Sequence, residues 1–474
     1  VTLREQVVRG VLHVSLRHVA VLAVAAAGGI VLARTLGAAA LGLYAVAAFA
    51  VGIGTVFMEF GLHQLLLRAR DGAPADDPYV PTLVTVRGAA AVLVLALQAL
   101  LVAPWLAAWY ASAELYWLVV GGAAGAALSA FFRISISLLE RDLRYKPVGV
   151  VEVAGTVAFY VTATGLAIGG LGVVALAAGD VARGLGSALG FALRPFPLRP
   201  RLSREALRDV GRFGAGFVVT NLTWLATSGL NPIVVGGLAG LEAAGLVRVA
   251  EGIVGQVSGL KGIVDRVAYP TFARIAERPA EMVRVVNEAR MGQFLTAVVP
   301  LSLVAAVGPW LIPPVYGAAW APVATILPVA AVGLALNTMF GLFSPALVTV
   351  GRNLAVTRFH VVYVGALWCL TPGLVAWLGY LGLAVGGVLA APAYWVLHRA
   401  FVERFGAVDH TAIGWLTLGS TVATWLAWSA PAWPLALVIF AGGHGVVVLA
   451  IRPVRDLCQA VGRQVIGQIL PAAR

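Results

Sequence analysis

The sequence predicts an all-α polytopic membrane protein, and three observations carry that expectation. Hydrophobic residues make up 60% of the 474 and charged residues only 11%, whereas soluble domains carry about 25% charged residues. The apolar residues fall in runs of roughly 20, the length a helix needs to cross the hydrocarbon core of a bilayer. The basic residues collect in alternate connections between those runs, as in loops that face the cytoplasm. This segregation also explains the net charge of +12 and the pI near 10.3. The charge serves topology and contact with anionic lipid, so no nucleic-acid partner is expected.

About fourteen spans follow in order: 14–33, 41–64, 81–103, 115–138, 147–168, 172–193, 212–236, 242–266, 291–312, 321–345, 355–377, 381–401, 411–429 and 433–451. The run GGAAGAA at 121–127 suits close helix packing. Arg141, Arg144 and Lys146, the arginines of 194–212, those of 266–290, and Arg399 with Arg404 lie on one side. The opposite connections, near 105–114, 169–171, 237–241, 313–320, 378–380 and 430–432, hold neither Lys nor Arg, and Arg34 is the one exception. Both termini are therefore expected in the cytoplasm. The basic start (Arg4, Arg9) leads into an apolar segment followed by further spans, so the first helix is expected to be retained. Two cysteines, Cys369 and Cys458, imply neither a disulfide framework nor a metal site.

Three basic stretches punctuate the chain. Residues 194–211 are Pro-broken and Arg-rich, and Ser203 opens a helix as its cap. Residues 267–290 hold Tyr269-Pro270 and then a charged helix suited to the interface, and 453–474 form a basic amphipathic tail.

An internal repeat organises the spans. Gly37 and Gly42 stand before Leu43 and Ala47 as Gly240 and Gly245 stand before Leu246 and Ala250. Pro104-Trp105-Leu106 with Tyr110 returns as Pro309-Trp310-Leu311 with Tyr316. Arg144 and Arg352 precede similar valine-rich runs, and Gly172 corresponds to Gly382. The offset drifts through 203, 205, 208 and 210, as small loop insertions would make it. Spans 1–6 and 7–12 thus read as duplicated halves. Six is even, so the repeats are parallel, about an axis along the membrane normal. The expected domains are a six-helix lobe at 1–195, a cytoplasmic linker at 196–211, a second six-helix lobe at 212–405, accessory helices at 406–452 and the tail at 453–474.

No catalytic grouping stands out: there is no phosphate-binding glycine loop, no Cys/His cluster at metal spacing and no nucleophile motif. The seven histidines are scattered and are expected to be packed or interfacial. Polar residues inside spans remain, and at membrane depth these are costly unless they face protein or water. Arg248, Glu251, Ser258, Lys261 and Asp265 mark span 8, the last four within about 80° on a helical wheel. Asp180 and Arg183, three apart in span 6, can pair on one face. Asn221, Trp224, Ser228 and Asn231 line one face of span 7, as a cavity wall or as interhelical hydrogen bonds. Thr55, Glu59 and His63 share a face of span 2. Arg87, Arg133 and Glu152 lie nearer the cytoplasmic boundary, where snorkelling competes with substrate binding. Spans 9–14 offer mainly Asn337 and His360. Substrate candidates are Arg248, Glu251, Lys261, Arg183, Asp180, Asn221, Asn231, Arg87 and Glu59. Ion-coupling candidates are Glu59, Asp180 and Glu251. Neither a metal nor a cofactor is expected; a proton or sodium gradient is the candidate energy source.

Arg34-Thr-Leu-Gly-Ala-Ala-Ala-Leu-Gly-Leu-Tyr44, with Glu59-Phe-Gly-Leu62, resembles the opening of Wzx-type polysaccharide flippases. Arg144-Tyr-Lys-Pro147, the Gly-Leu-Gly at 170–172, Val267-Ala-Tyr-Pro270 and Tyr316-Gly-Ala-Ala-Trp320 resemble that family too. The resemblance implies the multidrug/oligosaccharidyl-lipid/polysaccharide exporter fold: two six-helix lobes around a cavity that opens to alternate leaflets. It implies a substrate of polyprenyl pyrophosphate carrying an oligosaccharide, moved from the cytoplasmic to the outer leaflet of a bacterial-type inner membrane. Membrane lipids and a polysaccharide polymerase or export machinery would be its partners. Two alternatives stay open: a lipid II flippase, in whose relatives spans 13 and 14 suit a lipid tail, and a cation-coupled multidrug antiporter. Span 1 lacks the acidic residue that such antiporters often carry. Arg17 and Arg34 are its only arginines, short of the charged first helix of lipid II flippases. A membrane glycosyltransferase would be expected to carry a large outer loop, and the longest here has about ten residues.

Overall fold

The computed structural model of the chain describes residues 3–68, 78–142, 144–452 and 454–456. The side chains of 3–20, 68, 219, 220, 224, 263, 266 and 267 lie outside the description. Arg17, Trp224 and the tail beyond 456 are thus outside the described residues, as side chains or altogether. Among the described residues the secondary structure is helical throughout. Eight helical runs are long and apolar enough to cross a membrane, and a bent pair, Arg204–Ser228 with Leu230–Leu238, makes a ninth. Two of the eight, Val21–Leu67 and Asn353–Phe405, are 47 and 53 residues long, more than twice what one crossing needs. The chain packs as two compact units, Val1–Gly245 and Leu246–Arg474.

The first unit begins with α1 (Leu3–Glu59), divided at Gly37 (φ 80°, ψ 175°) where the sequence places the first turn. This positive φ suits a residue without Cβ. Phe60 and Gly61 (φ 39° and 71°) break the chain again, and α2 (Leu62–Arg68) follows. Next come α3 (Tyr79–Leu97), a π-helical turn, α4 (Ala103–Trp109), α5 (Ala113–Arg141), α6 (Tyr145–Leu166), α7 (Val174–Ser187) and α8 (Leu189–Leu193). Then α9 (Arg204–Ser228) begins at its predicted cap: Ser203 Oγ accepts from the amide of Ala206. A π-helical turn and α10 (Gly236–Leu238) lead to α11 (Gly240–Ser258), which crosses the boundary between the units.

Small residues let these helices approach closely. A Cβ on Gly125 of α5 would stand 2.2 Å from the carbonyl oxygen of Asp180 on α7, and one on Gly186 would stand 2.9 Å from Gly155 of α6. The glycine echo in the sequence proves to be a contact. A Cβ on Gly42 would lie 1.9 Å from the Leu241 carbonyl oxygen, and one on Gly245 would lie 1.8 Å from that of Ala38. Both pairings keep the repeat offset, since 245 minus 42 and 241 minus 38 each give 203. Gly240, like Gly37, has a positive φ, 92°. The later match shifts: Gly172 (φ 61°, ψ −149°) shares its conformation with Gly379 (φ 59°, ψ −133°), three residues before the Gly382 expected from the sequence.

The second unit comprises α12 (Lys261–Arg274), α13 (Pro279–Gln293), α14 (Val299–Tyr316), α15 (Val323–Phe340), α16 (Phe343–Thr349), α17 (Asn353–Leu378), α18 (Gly382–Leu389), α19 (Tyr394–Phe405), α20 (Thr411–Trp428) and α21 (Trp433–Ala450). The charged helix expected in 267–290 forms as α13. It continues through a π-helical turn into α14, one run of 38 residues. Phe272, Met282, Phe343 and Phe401 are buried in one core that joins α12, α13, α16 and α19. The last two helices are fastened inward: Ser420 contacts Ser302 of α14 (3.2 Å) and His444 of α21 (2.9 Å), and Trp428 Nε1 donates to the Ala324 carbonyl. Their other face exposes Trp415, Val438, Val446 and Leu449, apolar surface suited to lipid.

Candidate functional site

The first unit holds a half-open cavity of about 340 Å³. Arg133 and Ser129 of α5, Glu152 and Thr156 of α6, and Arg183 and Ser187 of α7 give it a polar lining, with Val21 of α1 on one side. The i, i+4 spacing puts each of these pairs on one face of its helix. Glycines 125, 155 and 186 set the helices close enough for the two guanidinium groups to share one space.

Each of these arginines also meets a carboxylate. Arg133 Nε lies 4.0 Å from Glu59, with both side chains partly exposed. Arg183 lies 3.9 Å from Asp180, the i, i+3 pair expected from the sequence, and stacks 4.1 Å over the Phe159 ring. Asp180 in turn accepts from the Tyr44 hydroxyl at 3.1 Å. These are loose ion pairs, beyond the 2.7–3.2 Å of a direct N–H···O bond. Guanidinium groups with hydroxyls beside them are the side-chain types that bind phosphate-bearing groups.

Beside Glu59 sits Arg87 of α3, entirely buried. Snorkelling does not describe it. None of its three guanidinium nitrogens has a hydrogen-bond partner among the described residues, while Glu59 and Arg133 are its charged neighbours. His63 bonds Ser137 (2.8 Å) and lies 3.6 Å from Glu140, so it faces α5; like Glu59, it stands outside the lining of the cavity.

The span 8 stripe is divided. The helix is interrupted at Gly259–Leu260, so Arg248 and Glu251 lie on α11 and Lys261 and Asp265 on α12. Arg248 and Glu251 are exposed. Lys261 donates to Asn337 Oδ1, whose amide donates to the Tyr394 hydroxyl at 2.7 Å, and Asp265 accepts from Gln293 at 2.6 Å. The span 7 series is divided too. Asn221 bonds the Phe217 carbonyl of its own turn (2.8 Å). Asn231 lies inside the π-helical turn Leu230–Val235, buried, and donates to the Ala244 carbonyl (3.3 Å). The helix ends at Ser228 and bends before Leu230, so Asn231 does not continue the face of Asn221.

The sequence also hides a polar centre in the second unit. Arg290, 2% exposed, donates from NH1 to the Met339 carbonyl (3.0 Å) and His410 Nδ1 (3.3 Å). From NH2 it donates to Asn287 and the Asp409 carbonyl (3.2 Å). His410 Nε2 meets His398 Nδ1 at 3.2 Å, so two histidines that look scattered are paired by the turn between α19 and α20. A guanidinium cannot accept, so Nδ1 of His410 is unprotonated and Nε2 carries the proton given to His398. No group of three or more metal-ligating side chains occurs among the described residues.

The fold has solved counterparts. The lipid II flippase MurJ, in an inward closed conformation, superposes with a TM-score of 0.71 at 12% identity, over 95% of this chain and 100% of that one. An inward-facing multidrug resistance MATE family transporter of the MOP superfamily gives 0.58 at 16% identity, over 82% and 98%. An outward-facing MATE family transporter gives 0.51 at 16%, over 86% and 96%. At such identities the likeness is one of fold: this chain is a multi-pass membrane protein with the architecture of MOP superfamily transporters. No curated protein sequence matches it. The family model described as "Polysaccharide biosynthesis protein" matches residues 31–325, well over half of the chain, and the protein belongs to that family.

Proposed function

We propose that the protein is a flippase that carries a polyprenyl-pyrophosphate-linked oligosaccharide from the cytoplasmic to the outer leaflet by alternating access, for cell-surface polysaccharide synthesis. The observation that carries this reading is the cavity with Arg133 and Arg183 on facing helices. A glycan and a diphosphate cannot cross about 30 Å of hydrocarbon unaided. A protein of a polysaccharide family that offers two guanidinium groups inside a membrane fold supplies the missing polar environment. The polyprenyl chain would stay in lipid, against apolar surface such as that of α20 and α21. In this reading the chain crosses a bacterial-type inner membrane fourteen times with both termini cytoplasmic, each of the two longest runs crossing twice. Residues 1–195 and 212–405 are the repeated lobes, joined by 196–211. A polymerase or export machinery receives the product, and the protein moves its substrate without changing its bonds. Glu59 and Asp180, the carboxylates beside the arginines, are the coupling candidates, with Glu251 a third; transport that persisted in proteoliposomes without any ion gradient would remove that role.

The test is the lipid-linked glycan itself. A deletion strain is expected to accumulate it on the cytoplasmic side, and Arg133→Gln with Arg183→Gln to leave that accumulation uncorrected while the protein inserts normally. Full restoration of export by the double variant would sink the reading. A second reading, a lipid II flippase, has the extent of the MurJ superposition in its favour. Rescue of a strain depleted of its peptidoglycan-precursor flippase would select it. A drug antiporter would instead raise minimal inhibitory concentrations on overexpression.

A further inference from the structure

We propose that Arg87 is a positioning residue for transport: the second partner of Glu59, which draws that carboxylate off Arg133 and frees the cavity arginine for the anionic headgroup of the substrate. The inference rests on the reading of the cavity as the headgroup site and adds how that site is switched.

Four observations converge on the pair. Arg87 is completely buried and none of its nitrogens is hydrogen-bonded among the described residues, a costly arrangement that a purely architectural arginine has no reason to keep. Glu59 is the nearby opposite charge that offsets it, while Arg133 repels it. Glu59 stands 4.0 Å from Arg133, close enough to hold that arginine electrostatically and too far to lock it. Glu59 is also the last residue of α1, directly before Phe60 and Gly61, whose φ values are 39° and 71°. A bulky aromatic at positive φ is a strained backbone position, and the strain adjoins the carboxylate that would move.

The break is held by packing. A Cβ on Gly214 of α9 would stand 2.0 Å from the Phe60 ring, and one on Gly61 would stand 2.7 Å from the Phe213 ring. Any shift of α9 therefore bears directly on the residue next to Glu59. His63, the next titratable group, bonds Ser137 and lies 3.6 Å from Glu140, with Glu59, Arg87 and Arg133 in electrostatic reach. One carboxylate thus serves two arginines, of which only Arg133 lines the cavity. With Glu59 on Arg133 the cavity holds one restrained guanidinium. With Glu59 on Arg87 the buried charge is paired and Arg133 turns fully to the ligand.

Arg87→Met, Arg87→Lys, Glu59→Gln and the Arg87→Met/Glu59→Gln double variant of the whole chain in nanodiscs test this, with inorganic pyrophosphate as the probe. Arg87→Met is expected to melt at or above the wild-type temperature, because an unpaired buried charge is removed, yet to bind pyrophosphate at least tenfold more weakly. Arg87→Lys keeps the charge and restores most of the binding. Glu59→Gln binds more tightly than wild type, and the double variant binds like Glu59→Gln, since without the carboxylate Arg87 has nothing to draw away. Independent, additive effects of the two substitutions, or a fall in melting temperature for Arg87→Met, would overturn the proposal. If the wild type binds no pyrophosphate, the headgroup reading fails by itself. The exchange is then judged by melting temperature alone: coupled shifts from the two substitutions support it and additive ones overturn it.

Discussion

Among the described residues two arginines are almost wholly removed from solvent, one in each compact unit, and the protein treats them in opposite ways. Arg290 spends its terminal nitrogens on two backbone carbonyls, an asparagine and a histidine, with the Phe343 ring 5.4 Å away. Arg87 is as deeply buried and makes none of these bonds. Of the Arg290 nitrogens only Nε lacks a partner among the described residues, whereas all three of Arg87 lack one; a buried polar group that is largely engaged fixes a structure, and one left without partners raises its energy. The second unit thus uses its arginine to tie α13, α15 and the turn before α20 together. The first unit keeps an arginine in reserve, beside a cavity lined by Arg133 and Arg183.

The contrast is sharpest in stability. Arg290→Met strands the Met339 and Asp409 carbonyls and is expected to cost about 3 kcal/mol or more, read as a large drop in melting temperature. A drop of equal size for Arg87→Met would erase the distinction. A smaller effect tests the histidine arm of the same centre. His410→Ala removes one acceptor from Arg290 and is expected to cost about 1 kcal/mol, with export unchanged; loss of export would move this centre into the transport machinery. The smallest effect is in pH. Burial first, then the Arg290 charge and His398, hold His410 down to about 4, against which Asp409 pulls upward. A histidine whose folded value is depressed is neutral in the fold, so its contribution is complete above about 6.5 and is lost as pH falls towards 4. Melting temperature should therefore decline over that window, and the decline should flatten in His410→Gln. An unchanged slope would break the tautomer assignment.

Much of this was legible in advance, and the reasons differ from residue to residue. The membrane class and the first turn at Gly37 follow from run length and local backbone preference. The Asp180–Arg183 pair follows from helical spacing alone. The glycine echo at 37–42 and 240–245 was visible as a repeat, though not that the two copies touch. Lys261 meeting Asn337, or His398 meeting His410, depends on where separate helices come to rest, and no period in the sequence encodes it. Asn231 parts from Asn221 because the helix breaks after Ser228 and passes into a π-helical turn, a change that leaves no mark in composition. From the sequence Arg87 reads like Arg133, an arginine near the cytoplasmic boundary of an apolar run. Only the packing of α1, α3 and α5 around it distinguishes a sealed charge from one that lines a cavity.

The paired approach of Gly42 to Leu241 and of Gly245 to Ala38 has a consequence for substitution. Segments 38–42 and 241–245 are each the surface on which the other rests, as in the isologous interface of a symmetric dimer. The two are therefore hostage to each other: a side chain added at Gly42 meets the Leu241 carbonyl and one added at Gly245 meets that of Ala38, so neither glycine can be replaced unless the facing backbone gives way.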